Sequence, residues 1–415
     1  MNSPFRILPF FLFILVVASC NRGATDFVFP TPVDTSTRAI SLQDKRSYDF
    51  PTEGLSFDNQ FDGARLNGVE QLTATSYVVS IEPENEPINP SPWYAFRLRS
   101  EKDQEIFVRI AYPNGANHRY YPKLSKDRRS WVSVDSSTII NHSDKEEITV
   151  ALSISAGETL YVAGQEVINS SDVGEWLTEL ANKHDINVTT IGESRLGRDL
   201  RRFAITDGAL NARPTIVLLS RQHPPEVTGF LAFQAFIDGL LEDPRLPELL
   251  KKYQFLVYPL LNPDGVDLGH WRHSAGGIDS NRDWATYNQP EARQVADNVV
   301  RTVRKAGSKV VLGMDFHSTW HDVFYTHDDS VQPPSALPDF TKAWLAGIEK
   351  AIGGDFKVNE DAKGIGKPTT ASWFRTQFGA EGITYEIGDD TDRDFVARKG
   401  QVSAQQLIEV LLSSK

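Results

Sequence analysis

Thr215-Ile216-Val217-Leu218-Leu219-Ser220, then Arg221-Gln222, then His223-Pro224-Pro225-Glu226, is the stretch on which the fold turns. Residues 215–219 are β-branched or leucine and read as a buried strand. Residues 226–241 read as a helix, because Val227, Phe230, Leu231, Ile237 and Leu241 share roughly one face. A strand feeding a helix is the building unit of an α/β sheet, and open α/β sheets bind ligands at such junctions. His223 and Glu226 stand at one.

The alternation continues on both sides. Strands are expected over 201–206, 255–260, 310–316 and 382–387, and helices over 173–183, 290–305, 338–352, 370–378 and 402–412, with Pro290 near the first helical position. Asn169-Ser170-Ser171-Asp172 suits a helix start. Before it, from 26 to 163, short Val/Ile/Tyr/Phe runs such as 76–81, 93–98, 105–110 and 148–154 alternate with Pro, Gly, Asn and Asp clusters, which reads as an all-β sandwich. The expected fold is therefore α/β, a mixed sheet flanked by helices over 170–415, preceded by an all-β sandwich over 31–165.

Composition bounds the function. A chain of 415 residues, 40% hydrophobic and 24% charged, is long enough for two or three folded domains. Its net charge of −12 disfavours neutralising the phosphates of nucleic acid, so no nucleic-acid partner is expected. A lone cysteine, Cys20, excludes an internal disulfide and every cysteine-cluster metal site, leaving any metal to His, Asp and Glu. Arg6, the apolar run 7–17 and the small residues Ala18-Ser19 form a signal-peptide pattern too short for a membrane span. Val17-Ala18-Ser19-Cys20 resembles a bacterial lipoprotein box. That implies a signal peptide over 1–19, lipidation of Cys20, a tether over 20–30 and an extracytoplasmic protein meeting the membrane through its lipid anchor only. No motif sets an oligomeric state.

His-x-x-Glu by itself is a short pattern that chance supplies. Its company is more telling. His317 follows the expected strand 310–316, and Glu386 lies within the apolar strand 382–387, where burying a carboxylate costs several kcal/mol unless the charge has a task or a partner. Two imidazoles, one carboxylate and a water make an open catalytic zinc site. Between these residues, Trp271-Arg272 and Gly277-Ile278-Asp279-Ser280-Asn281-Arg282 bring two arginines and an amide, the groups a free carboxylate wants. Asp279 could accept the second ring N–H of a metal-bound histidine. Turn chemistry and surface ion pairs would explain any one of these residues taken alone. Neither a Gly-x-Ser-x-Gly elbow nor a His-Glu-x-x-His helix is present.

In this order and on these elements, the residues resemble the zinc carboxypeptidase (funnelin-type) family over about 173–412. Ile191-Gly192-Glu193-Ser194-Arg195-Leu196-Gly197-Arg198 looks like that family's approach to its core strands. The resemblance implies a carboxypeptidase-like sheet and one Zn2+ held by His223, Glu226 and His317, with Glu386 as general base. It further implies that Arg272 polarises the scissile carbonyl, that Asn281 and Arg282 hold the substrate's terminal carboxylate, and that Asp279 steadies the first histidine. The Asn262-Pro263-Asp264-Gly265-Val266 stretch and a β domain carrying Trp93-Tyr94-Ala95-Phe96-Arg97 are similar to the cytosolic carboxypeptidase (deglutamylase-like) branch. Two departures stand out. Pro225 occupies a position where digestive members carry arginine, and 359–378 lacks the mobile tyrosine, leaving Lys367, Trp373 and Arg375 as positional candidates for the closing residue.

The expected function is zinc-dependent removal of a C-terminal amino acid from a peptide substrate with a free C-terminus. Two alternatives remain open at this point: a zinc amidase acting on a cell-wall peptide or other amide, and a non-catalytic, peptide-binding surface lipoprotein.

Overall fold

The computed structural model describes residues 27–113, 115–142 and 147–413. The expected signal peptide, Cys20 and most of the tether lie outside the described residues.

Two sheets form the N-terminal part. A six-stranded sheet in the order Ser47–Phe50, Leu55–Asp58, Ala95–Ser100, Thr159–Ala163, Lys123–Ser125, Val132–Ser133 faces a five-stranded one in the order Gly68–Thr73, Ser76–Ser80, Gln104–Ala111, Glu147–Ile154, Ile139–His142. In Gln104–Ala111 alternate residues Ile106, Val108 and Ile110 are buried, the period of a strand with one wet face. They meet Phe57, Phe96, Leu98 and Val162 of the facing sheet in one core. Residues 27–46 contain no strand. Instead, Thr31 N–H donates to Gly366 O, Arg38 N–H donates to Gly276 O, and Phe29 is buried. This segment runs between the two parts, with Thr31 and Arg38 bonded to the α/β part and Ser41 N–H donating to Glu84 O of the sandwich.

An eight-stranded mixed sheet organises the rest, in the order Thr189–Glu193, Asp199–Ile205, Gln254–Tyr258, Thr215–Ser220, Val310–Thr319, Glu381–Gly388, Val323–His327, Glu360–Lys363. Its central strands Gln254–Tyr258, Thr215–Ser220, Val310–Thr319 and Glu381–Gly388 run parallel to their neighbours in this series. Thr215–Ser220 is buried at every position, as a strand covered on both faces must be. Helices Ser170–His184, Val227–Leu241, Phe340–Ile352 and Arg393–Ser413 cover one face, and Pro290–Ala306 and Thr370–Phe378 the other. Asn169 caps the first helix by accepting from the N–H groups of Ser171 and Asp172, while Asp172 accepts in return from the Asn169 N–H. The last helix starts at Arg393, well before the expected 402, and the strand expected over 310–316 continues to Thr319. His317 is thus inside the strand rather than past its end, directly paired with Glu386 of the next strand.

Candidate active site

Parallel pairing sets the site. Ser220 pairs with Phe316 and His317 with Glu386, so the ends of three adjacent strands deliver their side chains to one edge of the sheet. After Ser220 the chain turns sharply at Arg221, whose φ of 57° is left-handed, and His223 lands beside His317 with ring centroids 4.9 Å apart. Strained backbone of this kind is tolerated where the surroundings determine it; here Arg221 O accepts from Asn262 N–H and its guanidinium donates to Ile168 O.

His223, Glu226 and His317 are buried and offer ligand atoms that all lie within 4.8 Å of one another. Glu226 Oε1 is 2.7 Å from His223 Nδ1 and its Oε2 is 2.6 Å from His317 Nδ1. The remaining ring nitrogens are taken as well. His223 Nε2 lies 2.8 Å from Asp279 Oδ1, and His317 Nε2 lies 2.7 Å from Asp315 Oδ2. Asp279 and Asp315 accept from each Nε2, so a cation would take the place of the proton that each Nδ1 turns toward Glu226. Two imidazoles oriented in this way and one carboxylate are the donor set that zinc takes, so these residues fit it. Burial alone would raise Glu226, but the two imidazoles hold it well below the carboxylate range. Burial likewise opposes charge on His317, yet Asp315 and Glu226 raise it well above the usual imidazole value.

Glu386 shares this cleft of about 660 Å³ with Arg272, Asn281 and Arg282. Its Oε2 is buried with no hydrogen-bond partner in the protein. Burial first, then the negative charge of Glu226, pushes it up to about 8. Asp279 has a double duty. While one oxygen holds His223, the other accepts from Arg272 Nε at 2.8 Å, and burial of Asp279 is outweighed by Arg272 and His223, which keep it well below its ordinary range. Asn281 Oδ1 is occupied by the N–H and hydroxyl of Thr370, at 2.9 and 3.1 Å, with its Nδ2 turned toward His317. Arg282 is partly exposed in the cleft, its Nη1 donating to Asn281 O.

The three positional candidates for a closing residue separate. Lys367 lines the cleft, whereas Trp373 is fully buried against Trp284 and Arg375 is buried against Glu381 at 3.4 Å. Neither of the latter two can close over a substrate, because helix Thr370–Phe378 points them into the packing beneath the sheet. Three groups went unread in the sequence: Asp315, buried behind His317, and two that line the cleft, Tyr325 and Arg119 of the sandwich, whose Nε donates to Asp389 Oδ2 at 2.7 Å.

Comparison with known proteins agrees with this architecture. The chain is 25% identical over 337 residues to cytosolic carboxypeptidase 6 of Caenorhabditis elegans, covering 74% of this chain and 72% of that one. It is 26% identical over 308 residues to an uncharacterised protein of Zymomonas mobilis, covering 70% and 73%. The fold matches a metallo-carboxypeptidase from Burkholderia cenocepacia with a TM-score of 0.71 at 18% identity, over 86% of this chain and 98% of that one. It also matches a metallo-carboxypeptidase from Pseudomonas aeruginosa in complex with (2-guanidinoethylmercapto)succinic acid, with a TM-score of 0.69 at 18% identity, over 86% and 99%. Residues 173–405 match the zinc carboxypeptidase family model, and with that match spanning more than half its length the chain belongs to the zinc carboxypeptidase family.

Proposed function

We propose that the protein hydrolyses the last peptide bond of a chain with a free C-terminus. One observation carries this reading: three facing metal-type ligands and the unpartnered carboxylate of Glu386 converge on one cleft that also holds Arg272 and Arg282. A zinc ion held by His223, Glu226 and His317 supplies a Lewis acid that polarises a carbonyl and acidifies water. Asp279 and Asp315 keep the two imidazoles in the tautomer and orientation this requires.

Glu386, whose Oε2 has no donor in the protein, takes a proton from the attacking water and later gives it to the leaving nitrogen. The C–N bond breaks, hydroxyl remains on the acyl carbon, and the amine leaves with the proton. Arg272, steadied by Asp279, faces the carbonyl oxygen as negative charge builds on it. Arg282, with the Asn281 amide beside it, pairs with the terminal carboxylate. Only a chain end satisfies that anchor, which makes the reaction an exopeptidase one. The lipoprotein-like Val17–Cys20 stretch supports an extracytoplasmic, lipid-anchored setting.

Protein from Asn21 onward, given a peptide library in free-acid and C-terminally amidated forms, is expected to release single residues from the free acids only, and a zinc chelator to stop the release. Equal cleavage of the amidated set overturns the carboxylate anchor. No cleavage of either set at stoichiometric zinc overturns hydrolysis in favour of peptide capture.

A further inference from the structure

A carboxylate of the sandwich reaches the backbone of Arg272, a residue that lines this cleft. Glu84 lies in the loop after strand Ser76–Ser80 and is 0% exposed. Its Oε2 accepts the backbone N–H of Trp271 at 2.7 Å, and its Oε1 accepts those of Arg272 at 3.0 Å and His273 at 2.6 Å. Three consecutive amides turned toward one point form an anion-binding concavity, filled here by the protein's own side chain. Burial opposes charge on Glu84, but His270, His273 and these backbone donors hold its carboxyl below the ordinary range. Asn85 secures the far side of the same loop: its Oδ1 meets His273 Nδ1 at 2.7 Å and its Nδ2 donates to Gly277 O at 3.0 Å.

Arg272 is the middle residue of the clasped turn. From a backbone fixed by Glu84, its guanidinium runs to one oxygen of Asp279, whose other oxygen holds His223. A single chain of hydrogen bonds therefore joins a sandwich loop to the metal-type ligands, and it passes through the group that faces the scissile carbonyl. Removing Glu84 leaves three buried N–H groups without their acceptor, and the turn must rearrange to satisfy them.

We propose that Glu84 is a positioning residue for the hydrolysis, setting where the Arg272 guanidinium stands, so that the sandwich completes the active site. The inference rests on the carboxypeptidase reading above and adds a residue to it from the other part of the molecule.

Glu84→Gln preserves shape but turns an NH2 group toward one of the three N–H donors. It is expected to lower kcat/KM about 10- to 100-fold, as small misplacements of catalytic groups do. The loss falls in kcat with KM within about twofold, because Arg272 acts where charge builds in the transition state. Tm is expected to drop by less than about 10 °C. In an Arg272→Ala background the same substitution should cost less than about twofold more, since the residue it positions is gone. An unchanged kcat/KM for Glu84→Gln, or an undiminished loss in the Arg272→Ala background, overturns the proposal. Should Glu84→Gln not fold, Asn85→Ala is expected to lower kcat about 3- to 10-fold with the same dependence on Arg272, and additivity there overturns it equally. A wild-type protein without carboxypeptidase activity overturns the reading of the whole site, a result distinct from an active wild type with an indifferent variant.

Discussion

At Glu386 a buried carboxylate oxygen lacks a donor in the protein, which costs on the order of 1–3 kcal/mol, and more for a charge. Groups held in this way concentrate where chemistry needs them. Glu386→Gln keeps the volume and removes the group proposed to accept the proton. Turnover is expected to fall about 10²- to 10⁴-fold, with one zinc per chain retained and Tm equal or higher at pH 7, because an amide is buried without the proton uptake that folding imposes on Glu386. Activity within about tenfold of wild type removes Glu386 from the role. Side chains of this kind were legible in the sequence, since a Glu in an apolar strand and His residues at strand ends contradict their surroundings. Asp315 carries the same contradiction, yet its partnership with His317 needs both residues in one extended strand, where i and i+2 share a face. A strand read as ending at Phe316 hides that pair.

Among the elements, helix Val227–Leu241 decides how closely His317 is held. A Cβ at Gly229 would sit 2.2 Å from His317 O, far inside contact distance. In a helix interior, Gly→Ala normally stabilises by about 0.5–1 kcal/mol. Here the sign reverses: Gly229→Ala forces helix and strand apart, with an expected destabilisation of about 1–3 kcal/mol in urea unfolding and weaker zinc retention, because the strand that moves carries the proposed ligand His317. A stabilised Gly229→Ala protein would show that the helix does not press on the strand. Long elements with a strong period, such as this helix and Pro290–Ala306, were readable from the sequence within a residue or two. The strands Thr189–Glu193, Val323–His327 and Glu360–Lys363 were not, being four or five residues long, the first and last of them largely polar, with their pairing supplied by neighbours. The part of the cleft wall that Tyr325 and Thr326 build was hidden for the same reason. Asn262-Pro263-Asp264-Gly265, residues as typical of a turn as of a helix start, begins helix Pro263–Leu268 with Asn262 as its cap.

Across the whole molecule, the contacts that join sandwich to sheet lie beyond any sequence pattern. Arg119 pairs with Asp389, Arg393 pairs with Glu166 at 2.8 Å, and Glu84 clasps the Arg272 turn. His118, next to Arg119, stacks on Tyr94 and meets the Tyr112 hydroxyl at 2.9 Å through Nδ1. Burial pushes it down to about 4. The folded state therefore keeps this imidazole neutral while the unfolded chain protonates it near its ordinary value of 6.5. Its contribution to stability is complete above pH 6.5 and is lost as pH falls toward 4, by at most about 1.4 kcal/mol per pH unit. His327, also held down to about 4 by burial and by the charge of Arg375, adds a loss of the same sign. Asp389 acts oppositely, because burial raises it to about 6 and its contribution disappears as pH rises through that value. A bare pH profile mixes these groups, whereas comparison with His118→Gln isolates one of them. The Tm gap between wild type and His118→Gln, followed from pH 7.5 to 4, is expected to narrow as pH falls, since only the wild type forfeits the His118 contribution. A gap that stays constant or widens means that the imidazole is charged in the fold, and that acid sensitivity at this junction must come from the carboxylates alone.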